Sequence, residues 1–139
     1  MATELVSNGD FSDGKGQWQF TNQNSTIIGE EEVIITNPYC KIATTEAIYQ
    51  SVPLKVGFKY RFSMRKRGAL SGKIALFTQG TNDEQWSTMI PNSNSWENFS
   101  GEFTVQTTWQ GPFWLRIFAN PGSSDAYLEV DDISLTLSE

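Results

Sequence analysis

The chain has 139 residues, 38% of them hydrophobic and 19% charged, a size at which one domain buries a core without disulfide or metal staples. Its net charge of −6, with no histidine and one cysteine, argues against nucleic-acid binding, which needs Lys and Arg against phosphates. The same inventory excludes an intramolecular disulfide, a zinc or imidazole metal site, and Ser-His-Asp or Cys-His catalysis.

No run approaches the ~18 apolar residues of a membrane helix, and Met1-Ala2-Thr3 does not read as a signal peptide. If the natural protein is exported, the chain is expected to be a mature or excised portion of it.

Along the chain, short β-rich runs alternate with turn clusters, and no window shows sustained helical periodicity. The expected strands are Leu5-Val6, Trp18-Phe20, Ser25-Ile28, Glu32-Thr36 and Ala47-Ser51 in the first part. Then come Lys59-Lys66, Lys73-Gln79, Gln85-Met89, Asn98-Val105, Phe113-Ala119 and Tyr127-Leu137. Turn chemistry separates them at Asn8-Gly9-Asp10, Asn37-Pro38, Val56-Gly57, Ser71-Gly72, Pro91-Asn92-Ser93-Asn94 and Asn120-Pro121-Gly122. This pattern predicts an all-β, antiparallel sandwich. No linker or charge block divides it, so residues 1–139 read as one domain.

Alternation assigns the faces. Tyr60, Phe62 and Met64 share one side of their strand, and Arg61, Ser63 and Arg65 the other. Phe113, Leu115 and Ile117 read as core. The opposite set, Trp114, Arg116 and Phe118, places two large aromatics around an arginine where a solvent face would carry Thr, Lys and Ser.

Five motifs stand in order: Leu5-Val6-Ser7-Asn8-Gly9-Asp10-Phe11 with Trp18; Ile48-Tyr49-Gln50-Ser51-Val52; Val56-Gly57-Phe58-Lys59-Tyr60-Arg61-Phe62-Ser63; Trp96-Glu97-Asn98-Phe99-Ser100-Gly101-Glu102-Phe103-Thr104-Val105; and Tyr127-Leu128-Glu129-Val130-Asp131-Asp132-Ile133-Ser134-Leu135. Together they resemble the carbohydrate-binding modules of families four, nine, sixteen and twenty-two, closest to family sixteen. Each motif alone is weak, but the series spans nearly the whole chain.

The resemblance implies a galactose-binding-like jelly roll with a structural calcium near the joined termini and a glycan site on a sheet face or loop edge. Calcium takes several oxygen ligands, and Gly9, Asp10, Ser12, Glu30, Asp131 and Asp132 are the candidates. Ser12 departs from the family, which commonly has Glu there. The plain alternative is that Asp131 and Asp132 solvate a strand bulge and Glu30-Glu31-Glu32 a turn.

Sugars offer flat C–H patches flanked by hydroxyls, which call for aromatic rings beside amide or charged groups. Trp114, Arg116 and Phe118 fit, as do Phe77 and Gln79 on the non-core side of their strand, then Gln85 and Trp86. Trp18, between Gln17 and Gln19, is a further candidate, and Trp96 is expected in the core. Trp18 and Trp114 with Gln79 and Gln85 resemble the family-sixteen clasp on a linear β-1,4-glucan or mannan. Arg61, Arg65 and Arg116, if they shared the cleft, would instead admit an acidic or decorated glycan.

Glycoside hydrolysis needs only two carboxylates. Glu129-Val130-Asp131 begins the jelly-roll glucanase pattern, but Ile133 and Ser134 stand where its final Glu belongs. The expectation is a secreted or cell-surface, monomeric, non-catalytic module that binds polysaccharide beside a catalytic domain in cis. The other reading is an adhesion or phage-tail sandwich without a strong sugar site.

Overall fold

The structure is a computed structural model describing residues 4–13, 16–21, 26–30, 38–78, 83–123 and 126–138. Ten strands form it: β1 (Gln19–Phe20), β2 (Thr26–Glu30), β3 (Pro38–Ala43), β4 (Ala47–Val52), β5 (Lys59–Gly68), β6 (Gly72–Thr78), β7 (Asp83–Ile90), β8 (Ser93–Thr104), β9 (Phe113–Ala119) and β10 (Tyr127–Leu137). They make two five-stranded sheets in the orders β1-β4-β9-β6-β7 and β2-β3-β10-β5-β8, with antiparallel pairing throughout. The all-β sandwich is as the alternation requires.

Period-2 patterning builds the core. In β9, Phe113, Leu115, Ile117 and Ala119 are buried while Trp114, Arg116 and Phe118 are half-buried on the other side. β6 adds Ile74 and Leu76; the facing sheet adds Phe62 and Met64 from β5 and Leu128, Val130 and Leu135 from β10. Each such side chain contributes about 1.5–3 kcal/mol when fully buried.

Several sequence readings change here: Leu5-Val6 is not a strand, and β3 was not among the expected ones. Pro38 begins β3 instead of standing in a turn, because it lies at the end of its pairing with Glu30, where a missing N–H is tolerated. The strand read at Glu32-Thr36 lies outside the described residues. β8 begins at Ser93, with the turn reduced to Pro91-Asn92.

The opening segment lies along β10. Leu5 N–H donates to Leu135 O at 2.9 Å, Ile133 N–H donates to Gly9 O at 2.9 Å, and Glu4 accepts from Leu135 N–H at 2.7 Å. Gly9 is required there: a Cβ would sit 2.0 Å from Ile133 O.

Candidate glycan-binding face

Register fixes what the outer side of the first sheet displays, since directly opposite residues of antiparallel strands share a face. One row is Ser51, Trp114, Phe77 and Glu84; the next is Gln19, Tyr49, Arg116, Ala75 and Ser87; the third is Ala47, Phe118, Lys73 and Met89. Four aromatic rings thus come together around one arginine. Tyr49 meets Trp114 edge-on with ring centroids 5.7 Å apart. The Arg116 guanidinium lies 5.4 Å from the Phe77 ring centre and 6.0 Å from that of Phe118. Ala75 is the small residue of the middle row, and above it lies a hollow of about 140 Å³ lined by Lys73, Ala75, Phe77, Arg116 and Phe118.

Gln19, Glu84 and Ser87 lie at the face's edges, and aromatic rings with Arg116 among them fill its middle. Lys73 Nζ is held by Glu84 at 2.6 Å. Arg116 makes neither a hydrogen bond nor an ion pair to any described residue, and its Nε is buried without a partner, as is Trp114 Nε1.

Of the sequence candidates, Phe77, Trp114, Arg116 and Phe118 are brought together on this face. Three others are not. Trp18 is buried, stacked on Phe11 at 5.8 Å with its indole N–H donating to Asn8 O at 2.9 Å. Its two-residue strand sends Gln19, not Trp18, to the outer face.

Trp86 turns inward, 4.6 Å from Phe103 and 5.6 Å from Phe62. The register slips between the Leu76–Trp86 and Phe77–Glu84 pairs. Gln85 is therefore the unpaired bulge residue, and its amide donates to Thr78 Oγ1 at 3.2 Å. Gln79 lies outside the described residues. Tyr49, Ser51, Lys73 and Gln19 were not singled out; the alternation of β4 already offered Tyr49 and Ser51, but not which face they joined.

The arginines part company. Arg61 and Arg65 stand on the outer side of the second sheet, beside a hollow of about 380 Å³ lined also by Ser63, Asn98, Ser100 and Asp132. Trp96 stands on that side too, not in the core, with Arg65 and Arg67 at 4.8 and 4.7 Å from its ring centre and Tyr39 edge-on at 5.2 Å. That hollow is the larger, but Trp96 is covered by Arg65 and Arg67, whereas no described cation lies over the half-buried Trp114 of the first sheet. Burial and the nearby Glu129 raise the Tyr39 phenol above its usual range.

The calcium candidates divide. Gly9 O is beside β10, as expected, but it already accepts from Ile133. Asp10 accepts from Ser12 N–H at 3.1 Å, and hydrogen bonds from the Ser12 amide and hydroxyl lower its carboxyl below the usual value. Asp131 is buried, accepts from Asp132 N–H at 2.8 Å, and lies 3.8 Å from Arg65; Asp132 lies 3.6 Å from the same group. The Glu30 side chain lies outside the described residues. Hard oxygens suit calcium, yet no three acidic side chains converge among the described residues.

Glu129 and Asp131, the start of the glucanase pattern, are held by Arg67 at 2.9 Å and Arg65 at 3.8 Å. On the three outer rows of the first sheet the one acid is Glu84.

Residues 3–123 match the sequence profile of the carbohydrate binding domain family of modules four and nine. This chain belongs to that family. No curated protein matches it by sequence. Among solved structures it is similar to a family 16 carbohydrate binding module (TM-score 0.74, 15% identity, 94% of this chain and 98% of that one). It is also similar to TmCBM61 in complex with β-1,4-galactotriose (TM-score 0.72, 16% identity, 98% and 99%). A third is the enzymatically active domain of bacteriophage CBA120 tailspike protein 4 (TM-score 0.73, 12% identity), of which this chain covers 21% while 97% of its own length is aligned. At these identities the likeness is one of fold. As a carbohydrate-binding module, the chain is a sugar-binding domain of the non-catalytic kind.

Proposed function

We propose that this module binds a β-linked polysaccharide, of the β-1,4-glucan or mannan class, across the outer side of the β1-β4-β9-β6-β7 sheet. The observation that carries the reading is the open row of Trp114, Phe77, Phe118 and Tyr49 around Arg116. Trp114 supplies the ring on which a pyranose C–H face stacks, while Ser51, Gln19 and Arg116 offer hydroxyl, amide and guanidinium partners to sugar hydroxyls. Trp18 and Gln85 have no part in this version of the site. The glucan or mannan class is therefore supported by the resemblance to family sixteen and by Trp114, and no longer by a two-tryptophan clasp.

Among the described residues of the three outer rows Glu84 is the one carboxylate, where glycoside hydrolysis calls for two. The module's use is to hold an attached glycoside hydrolase, in a secreted or cell-surface protein, close to an insoluble substrate, which raises effective concentration without chemistry. A monomer suffices for that. The test is calorimetric titration against cellohexaose, mannohexaose, xylohexaose and a β-1,3-glucan oligomer, each repeated with Trp114→Ala. Binding to one of them, lost in the variant, supports the reading; silence from a folded protein favours an adhesion or phage-tail sandwich, for which the tailspike likeness is the supporting observation.

Calcium is a separate proposal. Its support is the bond joining Gly9 to Ile133, which sets the opening loop beside Asp131 and Asp132. Asp10 would have to turn in to join the ligand set.

A further inference from the structure

Arg116 can donate to the hydroxyls of a neutral sugar, but such a ligand leaves its charge without a counter-charge. A guanidinium has five N–H donors in a planar fork and stays charged at all accessible pH. Here it is half-buried between the rings of Phe77 and Phe118, at 5.4 and 6.0 Å, and no described residue accepts from it. The other arginines of the strands are provided for: Arg67 has Glu129 at 2.9 Å, Arg65 has Asp131 and Asp132, and Arg61 donates to Ser100 Oγ at 3.2 Å. Lys73, the other cation of the hollow, is neutralised by Glu84 at 2.6 Å.

Desolvating a cation without a counter-charge is costly, and the cation–π contacts offset only part of that cost. What they do is hold the fork in place at the wall of the 140 Å³ hollow, with Ala75 keeping the floor low. A fixed, uncompensated guanidinium beside an aromatic platform suits a pyranose bearing an oxyanion, and a carboxylate, whose two oxygens accept two parallel N–H bonds, is the form native to the sugar ring itself. The chain's net charge of −6 repels polyanions at long range, so any preference for acid must come from this local pair.

We propose that the hollow at Arg116 is a subsite for a uronic-acid residue, so that the glycan recognised carries carboxylates on its β-linked chain. This rests on the reading of the sheet face as the glycan site.

The test compares cellohexaose with its C6-carboxylate form, and mannohexaose with a β-1,4-mannuronate hexamer, by calorimetry at low and physiological salt. At least one carboxylate form is expected to bind roughly tenfold or more tighter than its neutral counterpart. Arg116→Gln removes that advantage by weakening the acid form far more than the neutral one, Arg116→Lys restores part of it, and Trp114→Ala weakens both forms. Unfolding curves of the variants show that each is folded.

Equal affinity for acid and neutral forms, both lost in Trp114→Ala, overturns the uronate subsite and leaves the sheet-face reading standing. A carboxylate preference that survives Arg116→Gln also overturns it. Binding that survives Trp114→Ala and Arg116→Gln alike places the glycan elsewhere and sinks the face reading itself.

Discussion

Trp18 and Trp114 are the same residue put to opposite uses. The indole of Trp18 is sealed against Phe11 with its N–H satisfied by Asn8, so its energy is spent on the fold. Trp18→Ala is expected to cost about 3–5 kcal/mol of stability through the cavity left behind, read as a lowered denaturation midpoint. Trp114 is half-buried on an open face, and Trp114→Ala should leave stability within about 1 kcal/mol while weakening glycan binding by roughly 2 kcal/mol or more. If titration of the two variants gave the reverse, the assignment of faces would be wrong. Only the Trp114 half of this contrast could be seen in sequence, because a seven-residue alternation fixes a side whereas a two-residue strand leaves both open.

At the scale of elements, what matters is which strand lies beside which. The alternation of β9 gave its own two faces correctly, but the companions of Trp114 come from register: Ser51 on one flank, Phe77 on the other. The β7 bulge shows how local irregularity defeats periodicity, since one extra residue at Gln85 turns Trp86 to the core and leaves Glu84 outside. The join between the opening loop and β10 is equally exacting. Gly9→Ala drives a methyl into Ile133 O, and the expected outcome is a loss of about 2 kcal/mol or more with sheet-face binding preserved at temperatures where the variant is folded. A variant melting like the parent would show that the join is loose.

For the whole molecule, the sandwich brings the two chain ends together and sends the arginines of β5 and β9 to opposite outer surfaces. If calcium binds at the ends, saturation at about a hundred times its dissociation constant adds roughly 2.7 kcal/mol, a rise in melting temperature on the order of 5–10 °C that EDTA reverses. An unchanged melting curve with and without EDTA removes calcium from the account.

By itself the sequence determined the all-β class, the inward rows of β5, β6 and β9, and the family, because period-2 burial and turn chemistry are local and the five motifs stand in a fixed order. The site was half legible for the same reason: Phe77, Trp114, Arg116 and Phe118 stand out as large or charged groups on the wrong side of core strands. Tertiary structure alone decided that Trp18 is core and Trp86 packs against it, that Trp96 is not core, that Tyr49 joins Trp114, and that Arg61 and Arg65 are a sheet away from Arg116. These outcomes depend on which strand pairs with which and at what register, a choice made by the packing of distant segments and carried by no single stretch of chain.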